Sequence, residues 1–150
     1  MVDERLPLPF DLRQKSRLRV SLESGLEAAL MLDRGTILRG GDLLRADDGR
    51  VIQIVAAEQP VMFVTAATPQ ALMCAAYHLG NRHVPLQVGG GWLLLEQDHV
   101  LKDMLVGLGM TISERMAAFE PEAGAYGGGH RHHHDDGQLF RPPSRLRQHG

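Results

Sequence analysis

The stretch Val61-Met62-Phe63-Val64-Thr65-Ala66-Ala67-Thr68-Pro69-Gln70-Ala71-Leu72 decides the fold, because its hydrophobic pattern changes character halfway along. Val61 to Ala66 is a continuous apolar run of strand length, the pattern of a buried strand. Thr68-Pro69 then offers an N-cap hydroxyl and a proline at the first helical position, where a missing N–H costs nothing. Ala71, Leu72, Ala75, Ala76 and Leu79 follow at i, i+3, i+4 spacing and predict a helix, which Gly80 or Asn81 is expected to close in the left-handed conformation. Toward the C-terminus, residues 84–88 and 92–96 read as two strands joined by Gly89-Gly90-Gly91. Asp98 is placed to cap a second helix carrying Val100, Leu101, Met104, Leu105 and Leu108, stopped by Gly109. Residues 111–119 give a last strand. Strand-helix-strand-strand-helix-strand is the ferredoxin-like order.

Working toward the N-terminus, Glu58-Gln59-Pro60 reads as a linker, and the stretch before it as short strands. Leu18-Arg19-Val20-Ser21-Leu22 alternates apolar and polar residues, and 29–32 forms a second candidate. Residues 42–45 and 51–55 flank Ala46-Asp47-Asp48-Gly49-Arg50, where Asp-Gly between apolar runs signals a hairpin. Gly40-Gly41 reads as a turn. Closely spaced strands with glycine-rich turns predict a small β-sandwich or barrel-like module. The expected fold class is α+β, with a small β-rich domain at 1–59, a ferredoxin-like βαββαβ domain at 60–121 and a flexible tail at 122–150.

The 150 residues allow one domain or two small ones. A hydrophobic content of 43% with 23% charged residues is that of an ordinary globular protein rather than a disordered one. A net charge of −2 and 5% aromatics argue against a nucleic-acid partner, which calls for a basic face and rings for stacking. The single cysteine, Cys74, rules out an internal disulfide and fits a reducing compartment. The acidic start Met1-Val2-Asp3-Glu4-Arg5 lacks a secretory apolar segment, and no run reaches the ~18 apolar residues of a membrane span. A cytoplasmic location with no membrane partner is the expectation.

Four of the eight histidines fall within residues 130–134: His130, His132, His133 and His134, interrupted by Arg131 and followed by Asp135-Asp136. Neutral imidazole is a ready ligand for Ni, Cu and Zn, so this density points to metal, although it does not name which one. The preceding Gly124-Ala125-Tyr126-Gly127-Gly128-Gly129 predicts a mobile arm, suited to capturing and passing on an ion rather than to rigid catalysis. The alternatives are a purification tag, against which the Arg131 interruption, Asp135-Asp136 and the basic segment from Arg141 speak, and a solvated tail without function.

Within the folded part, His83 is the sharpest candidate, standing in Gly80-Asn81-Arg82-His83 where the helix gives way to a strand. A histidine at such a junction is exposed and fixed in direction, as a ligand must be; the competing reading is a plain surface histidine. His78 lies four residues after Cys74, a spacing that can place thiolate and imidazole on one helix face. Cys74 nevertheless sits among alanines and leucines, which predicts a buried small hydrophobe, and His78 suits the negative end of the helix. His99 shares a face with Asp103, yet a first-turn histidine is commonly just exposed. No HExxH or CxxC pair, serine elbow or phosphate loop occurs. One loop histidine cannot complete a divalent shell, so two-fold association bringing two copies of His83 together is the natural hypothesis.

At this point Ala75-Ala76-Tyr77-His78-Leu79-Gly80-Asn81-Arg82-His83-Val84-Pro85-Leu86-Gln87 closely resembles the central motif of the urease accessory protein UreE family, nickel metallochaperones. Asp98-His99-Val100-Leu101 with Met104-Leu105 and Leu108-Gly109 is similar to the family's second helix, and the resemblance covers nearly the whole chain. It implies a peptide-binding-like N-terminal domain and a metal-binding C-terminal domain that forms a homodimer. It also implies that His83 of each protomer binds Ni²⁺, with Zn²⁺ or Cu²⁺ possible in vitro. Delivery to the urease apoprotein together with other urease accessory proteins, including a GTPase, is likewise implied. Some relatives carry an extra histidine where this chain has Gln97, and the tail is short for the family. The site set expected is His83, His130, His132, His133 and His134, with His99 and His78 as further metal candidates and no catalytic residue. A general histidine-rich Zn, Cu or Ni buffer without a urease role is the alternative. An enzyme using His83 as acid or base would have only Arg82 and His78 nearby as partners.

Overall fold

The computed structural model describes residues 1–124 and 145–148 of the chain. It divides into two compact units, one comprising Met1–Ala57 with Ala123–Gly150 and the other Glu58–Glu122. The architecture is mixed α+β, with three sheets and few helices.

The first unit holds strand β1 (Glu4–Leu8), the short helix α1 (Phe10–Arg13), and strands β2 (Arg17–Ser21), β3 (Glu27–Met31), β4 (Leu43–Arg45) and β5 (Val51–Ala56). β4 and β5 form the hairpin that Asp48-Gly49 announces, with Gly49 at φ +91°, a value glycine adopts without steric cost. β1 was not foreseen. It pairs in parallel with β5 at the edge of the sheet β1-β5-β4, where the missing N–H of Pro7 breaks no central ladder. Leu6, Leu8, Leu44, Ile52 and Ile54 from this sheet and Val20, Ala28 and Leu30 from the second sheet bury one shared core. That second sheet has the order β10-β3-β2, where β10 is Arg145–Gln148, antiparallel to β3. The C-terminal end therefore contributes a strand inside the range expected to be a flexible tail.

Arg13 is fully buried in this unit. Its Nε donates to the Leu8 carbonyl (3.0 Å) and Nη1 to the Leu38 carbonyl (3.1 Å), while its guanidinium lies 5.5 Å from the Phe10 ring. The side chain thus ties the end of β1 to the loop before β4.

The second unit runs β6 (Glu58–Thr65), α2 (Pro69–Asn81), β7 (Gln87–Val88), β8 (Leu93–Glu96), α3 (His99–Gly107) and β9 (Thr111–Ala118). Its sheet has the order β7-β8-β6-β9 with every neighbouring pair antiparallel. The expected linker at Glu58-Gln59-Pro60 is instead the first part of β6. It pairs with β9 from Glu58 opposite Ala118 onward, and Gln59 is buried. Pro60 is accommodated because β8 pairs with β6 only from Val61, leaving one side of the strand open at the proline. The strand expected at 84–88 is reduced to Gln87 and Val88.

Met62, Val64, Leu93 and Leu95 on the sheet pack with Ala75 and Leu79 of α2 and Leu105 of α3. Phe63 and Trp92 stack at 5.6 Å, and Arg115 lies 4.0 Å over the Phe63 ring. A Cβ at Gly89 would collide with the Trp92 indole, so the 89–91 turn needs glycine there.

Replacing Arg13 by alanine leaves two buried carbonyls without their charged donor. Such bonds contribute about 1.5–3 kcal/mol each, so Arg13→Ala should lower unfolding free energy by about 2–4 kcal/mol in a urea titration. A loss under about 0.5 kcal/mol, the range of plain surface substitutions, would rule out this bridging role.

Candidate functional site

The helix α2 begins as its sequence dictates: Thr68 Oγ1 accepts the Ala71 N–H at 3.1 Å and Pro69 occupies the first turn. Ala75 and Leu79 face the core. The opposite side presents Met73, Cys74, Tyr77, His78 and Asn81 to solvent. Cys74 is therefore exposed, not the buried small hydrophobe expected from its neighbours. Leu72 and Ala75 turn inward at the adjacent helical positions, which swings Cys74 outward with its i+4 neighbour His78. The His78 ring stands edge-on to Tyr77, with ring centroids 5.7 Å apart.

The last carbonyls of a helix need donors, and here two backbone bonds supply them. The His83 N–H donates to the Gly80 carbonyl (3.0 Å) and the Val84 N–H to the Leu79 carbonyl (3.2 Å). This pairing closes a helix through one residue in the left-handed region, usually glycine. Helix α3 ends in the same way, with the Gly109 N–H on the Val106 carbonyl (2.9 Å) and the Met110 N–H on the Leu105 carbonyl (3.0 Å). The left-handed residue is Gly109 (φ +88°) in α3 and His83 (φ +58°) in α2. The expected position, Gly80 or Asn81, was two or three residues too early, and both of those belong to the helix.

Among the described residues His83 is the one non-glycine with positive φ. The conformation costs a residue bearing a Cβ about 1–2 kcal/mol. Backbone strain of this kind gathers at functional positions. The side chain is exposed, while Val84 packs against the core on the other side of the turn. Pro85 follows and prevents any helical continuation.

His99 sits in the first turn of α3, exposed, behind Asp98, whose Oδ1 accepts the Val100 and Leu101 N–H groups (2.9 and 3.0 Å). Gln97 is exposed, and its Nε2 donates to the Val61 carbonyl at 3.3 Å, so it is tied to the sheet backbone. His130, His132, His133 and His134 lie outside the described residues. Among the described residues no three His, Cys, Asp or Glu side chains converge to hold a metal ion. An apolar groove of about 390 Å³ runs between the start of α2 and the β7–β8 turn, lined by Leu72, Met73, Ala76, Val88 and Leu93 among others. It carries no ionisable side chain and so offers no acid–base pair. No helix among the described residues is long and apolar enough to cross a membrane.

The family description "UreE urease accessory protein, N-terminal domain" matches residues 1–57, and "UreE urease accessory protein, C-terminal domain" matches 59–149. Among curated relatives, the urease accessory protein UreE of Ralstonia nicotianae is 57% identical over 131 residues, covering 87% of this chain and 62% of the relative. That of Burkholderia lata is 57% identical over 130 residues, covering 87% and 63%, and that of Nitrosospira multiformis 54% over 135 residues, covering 90% and 77%. The chain thus spans under two thirds of the length of the first two. Two consecutive domain matches over nearly the whole chain define its class, the urease accessory proteins. Within that class, the chain belongs to the UreE family.

If the left-handed turn is strained, His83→Gly relieves about 1–2 kcal/mol and loses roughly 0.4–1 kcal/mol through the freer unfolded chain. The glycine variant should be more stable than the wild type by up to about 1 kcal/mol, and Gly109→Ala less stable by a similar amount, as read from urea midpoints. A destabilised His83→Gly would show that the imidazole itself holds the loop.

Proposed function

We propose that this protein is a non-catalytic nickel metallochaperone that delivers Ni²⁺ to the urease apoprotein during assembly of its metal centre in the cytoplasm. The observation that carries the reading is His83, an exposed imidazole held at a left-handed helix end where its sister helix uses glycine. A glycine would serve the fold better there, so the side chain is retained for what it binds. Membership of a family named for a urease accessory role supports the identity of the recipient.

One imidazole leaves most of a divalent shell open. A homodimer joining two copies of His83 supplies a second ligand, and exposed Met73 and Tyr77 on α2 offer apolar surface for such an association. We read 60–121 as the metal-binding and dimerisation domain, ferredoxin-like in arrangement, supported by the strand order β7-β8-β6-β9 around two helices. We read 1–59 as a peptide-binding-like domain that engages other urease accessory proteins, including a GTPase. His130, His132, His133 and His134 collect the ion and pass it to His83. His78 and His99 remain secondary ligands. The Glu122 N–H bonds the Leu86 carbonyl at 2.8 Å, three residues from His83. His130 lies eight positions beyond Glu122, a reach of roughly 28 Å at full extension, which suits transfer. An incomplete, exposed shell lets the recipient's ligands displace the donor's without releasing free metal.

Calorimetric titration with Ni²⁺ tests this. His83→Ala should lose the tight site of the dimer. Replacing His130, His132, His133 and His134 by glutamine should keep that site while lowering stoichiometry. Substitution is preferable to truncation because Arg145–Gln148 belongs to a sheet. Tight binding unchanged in His83→Ala would sink the assignment. Failure to retain urease accessory proteins in a nickel-loaded pull-down would favour a general metal buffer.

A further inference from the structure

In the order β10-β3-β2, strand β2 is terminal, and among the described residues nothing pairs with its outer side. Its five residues include neither proline nor glycine. The other edge strands of this unit are less suited to pairing: β1 carries Pro7, β4 has three residues and β10 four.

The register with β3 settles which way the backbone of β2 faces. The Leu22 N–H donates to the Leu26 carbonyl and the Leu32 N–H to the Ser16 carbonyl, both at 2.8 Å. Between these two bonds the antiparallel register runs unbroken, from Arg17 opposite Met31 to Ser21 opposite Glu27. Bonded and non-bonded pairs alternate in such a ladder. Leu18 and Val20 therefore bond to β3, and Arg17, Arg19 and Ser21 turn their N–H and C=O groups to the open edge. Side chains alternate with the same period. Val20 is buried and Leu18 half-buried on the core face, whereas Arg17 and Arg19 are exposed on the outer face. Among the described residues neither guanidinium has a hydrogen-bond or ion-pair partner. The same two residues thus offer an unpaired backbone and an unpaired positive charge.

We propose that the edge of β2 is a strand-addition site for an extended segment of a partner protein with the pattern acidic–apolar–acidic. This names the partner chemistry of the unit read above as peptide-binding-like, and rests on that reading. An incoming antiparallel strand exchanges both backbone bonds with Arg17 and again with Arg19. Its side chains opposite them lie about 5 Å away on the same face, where carboxylates pair with the two guanidinium groups. The residue between falls beside half-buried Leu18 and covers it. Glu27, opposite Ser21, confines the preference for acid to these two positions. So short a basic stripe is too small a footprint for a nucleic acid. Charge on an edge strand also deters indiscriminate pairing, so the arginines exclude most strands while admitting acidic ones.

The test uses the full chain and a fluorescent peptide, Ser-Thr-Glu-Val-Glu-Thr-Ser, followed by anisotropy at low salt. Arg17→Glu combined with Arg19→Glu should weaken binding by about tenfold or more, since two cross-strand attractions become repulsions. The same variant should bind the peptide carrying Lys for both Glu better than the wild type does, which also shows that it is folded. N-methylation of the two Glu amides removes the donors that reach the carbonyls of Arg17 and Arg19 and should abolish binding. N-methylation of the Val amide, which faces away from β2, should leave affinity within about twofold. Equal losses from methylation at all three amides would reveal charge attraction without strand pairing and overturn the proposal. Probe binding unchanged by the charge reversal would place the peptide elsewhere on 1–59, so that only the edge site falls. If the wild type does not bind the probe while the pull-down retains accessory proteins, the edge site again falls and the broader reading stands.

Discussion

The reversal of the chain at the end of α2 is the constraint that decides what the second unit exposes at His83. The helix must surrender its last carbonyls to donors, and the chain must turn back toward an edge strand within a few residues. Both needs are met by one backbone arrangement at residues 79–84, in which Val84 returns to the core and residue 83 is pushed outward. Burial of Leu79 and Val84 thus sets the position of His83, although neither touches a ligand. The outward residue carries no packing duty, which frees it to be chosen for chemistry.

Comparison of the two helix ends sharpens the point. α2 and α3 close through the same pair of backbone bonds, yet one uses glycine and the other histidine. Local rules alone would put glycine at both. That departure from local preference at one of two equivalent positions is the observation on which the proposed role of His83 rests.

Much of the fold was legible because its elements obey strong local patterns. The apolar run at 61–66, the Thr68-Pro69 start, the Asp98 cap and Gly109 each have a direct physical cause and appear as read. What escaped were features decided by distant partners. β1 depends on a parallel neighbour more than forty residues away, and Glu58-Gln59-Pro60 becomes strand because β9 pairs with it from the other end of the unit. Cys74 was misread because its neighbours Leu72, Ala75 and Ala76 all pack toward the core, while position 74 itself falls on the solvent side of the helix. The place of His83 at the helix-to-strand junction could be read, but its left-handed backbone could not, since Gly80 and Asn81 are the residue types that ordinarily take that role. The bonds from the Glu120 N–H to Gln87 and from the Glu122 N–H to the Leu86 carbonyl escaped because none of these residues carries a local signal.

The pairing of β10 with β3 has a consequence for how the molecule comes into being. Arg145 lies opposite Met31, more than a hundred residues earlier in the chain. During synthesis β2 and β3 emerge long before β10, so the far side of β3 is an open row of backbone donors and acceptors until residues 145–148 have been made. An unpaired edge of that kind invites pairing with other chains. The first unit is therefore completed by a strand from far along the chain, and a change within residues 145–148 is felt in the sheet that holds β3.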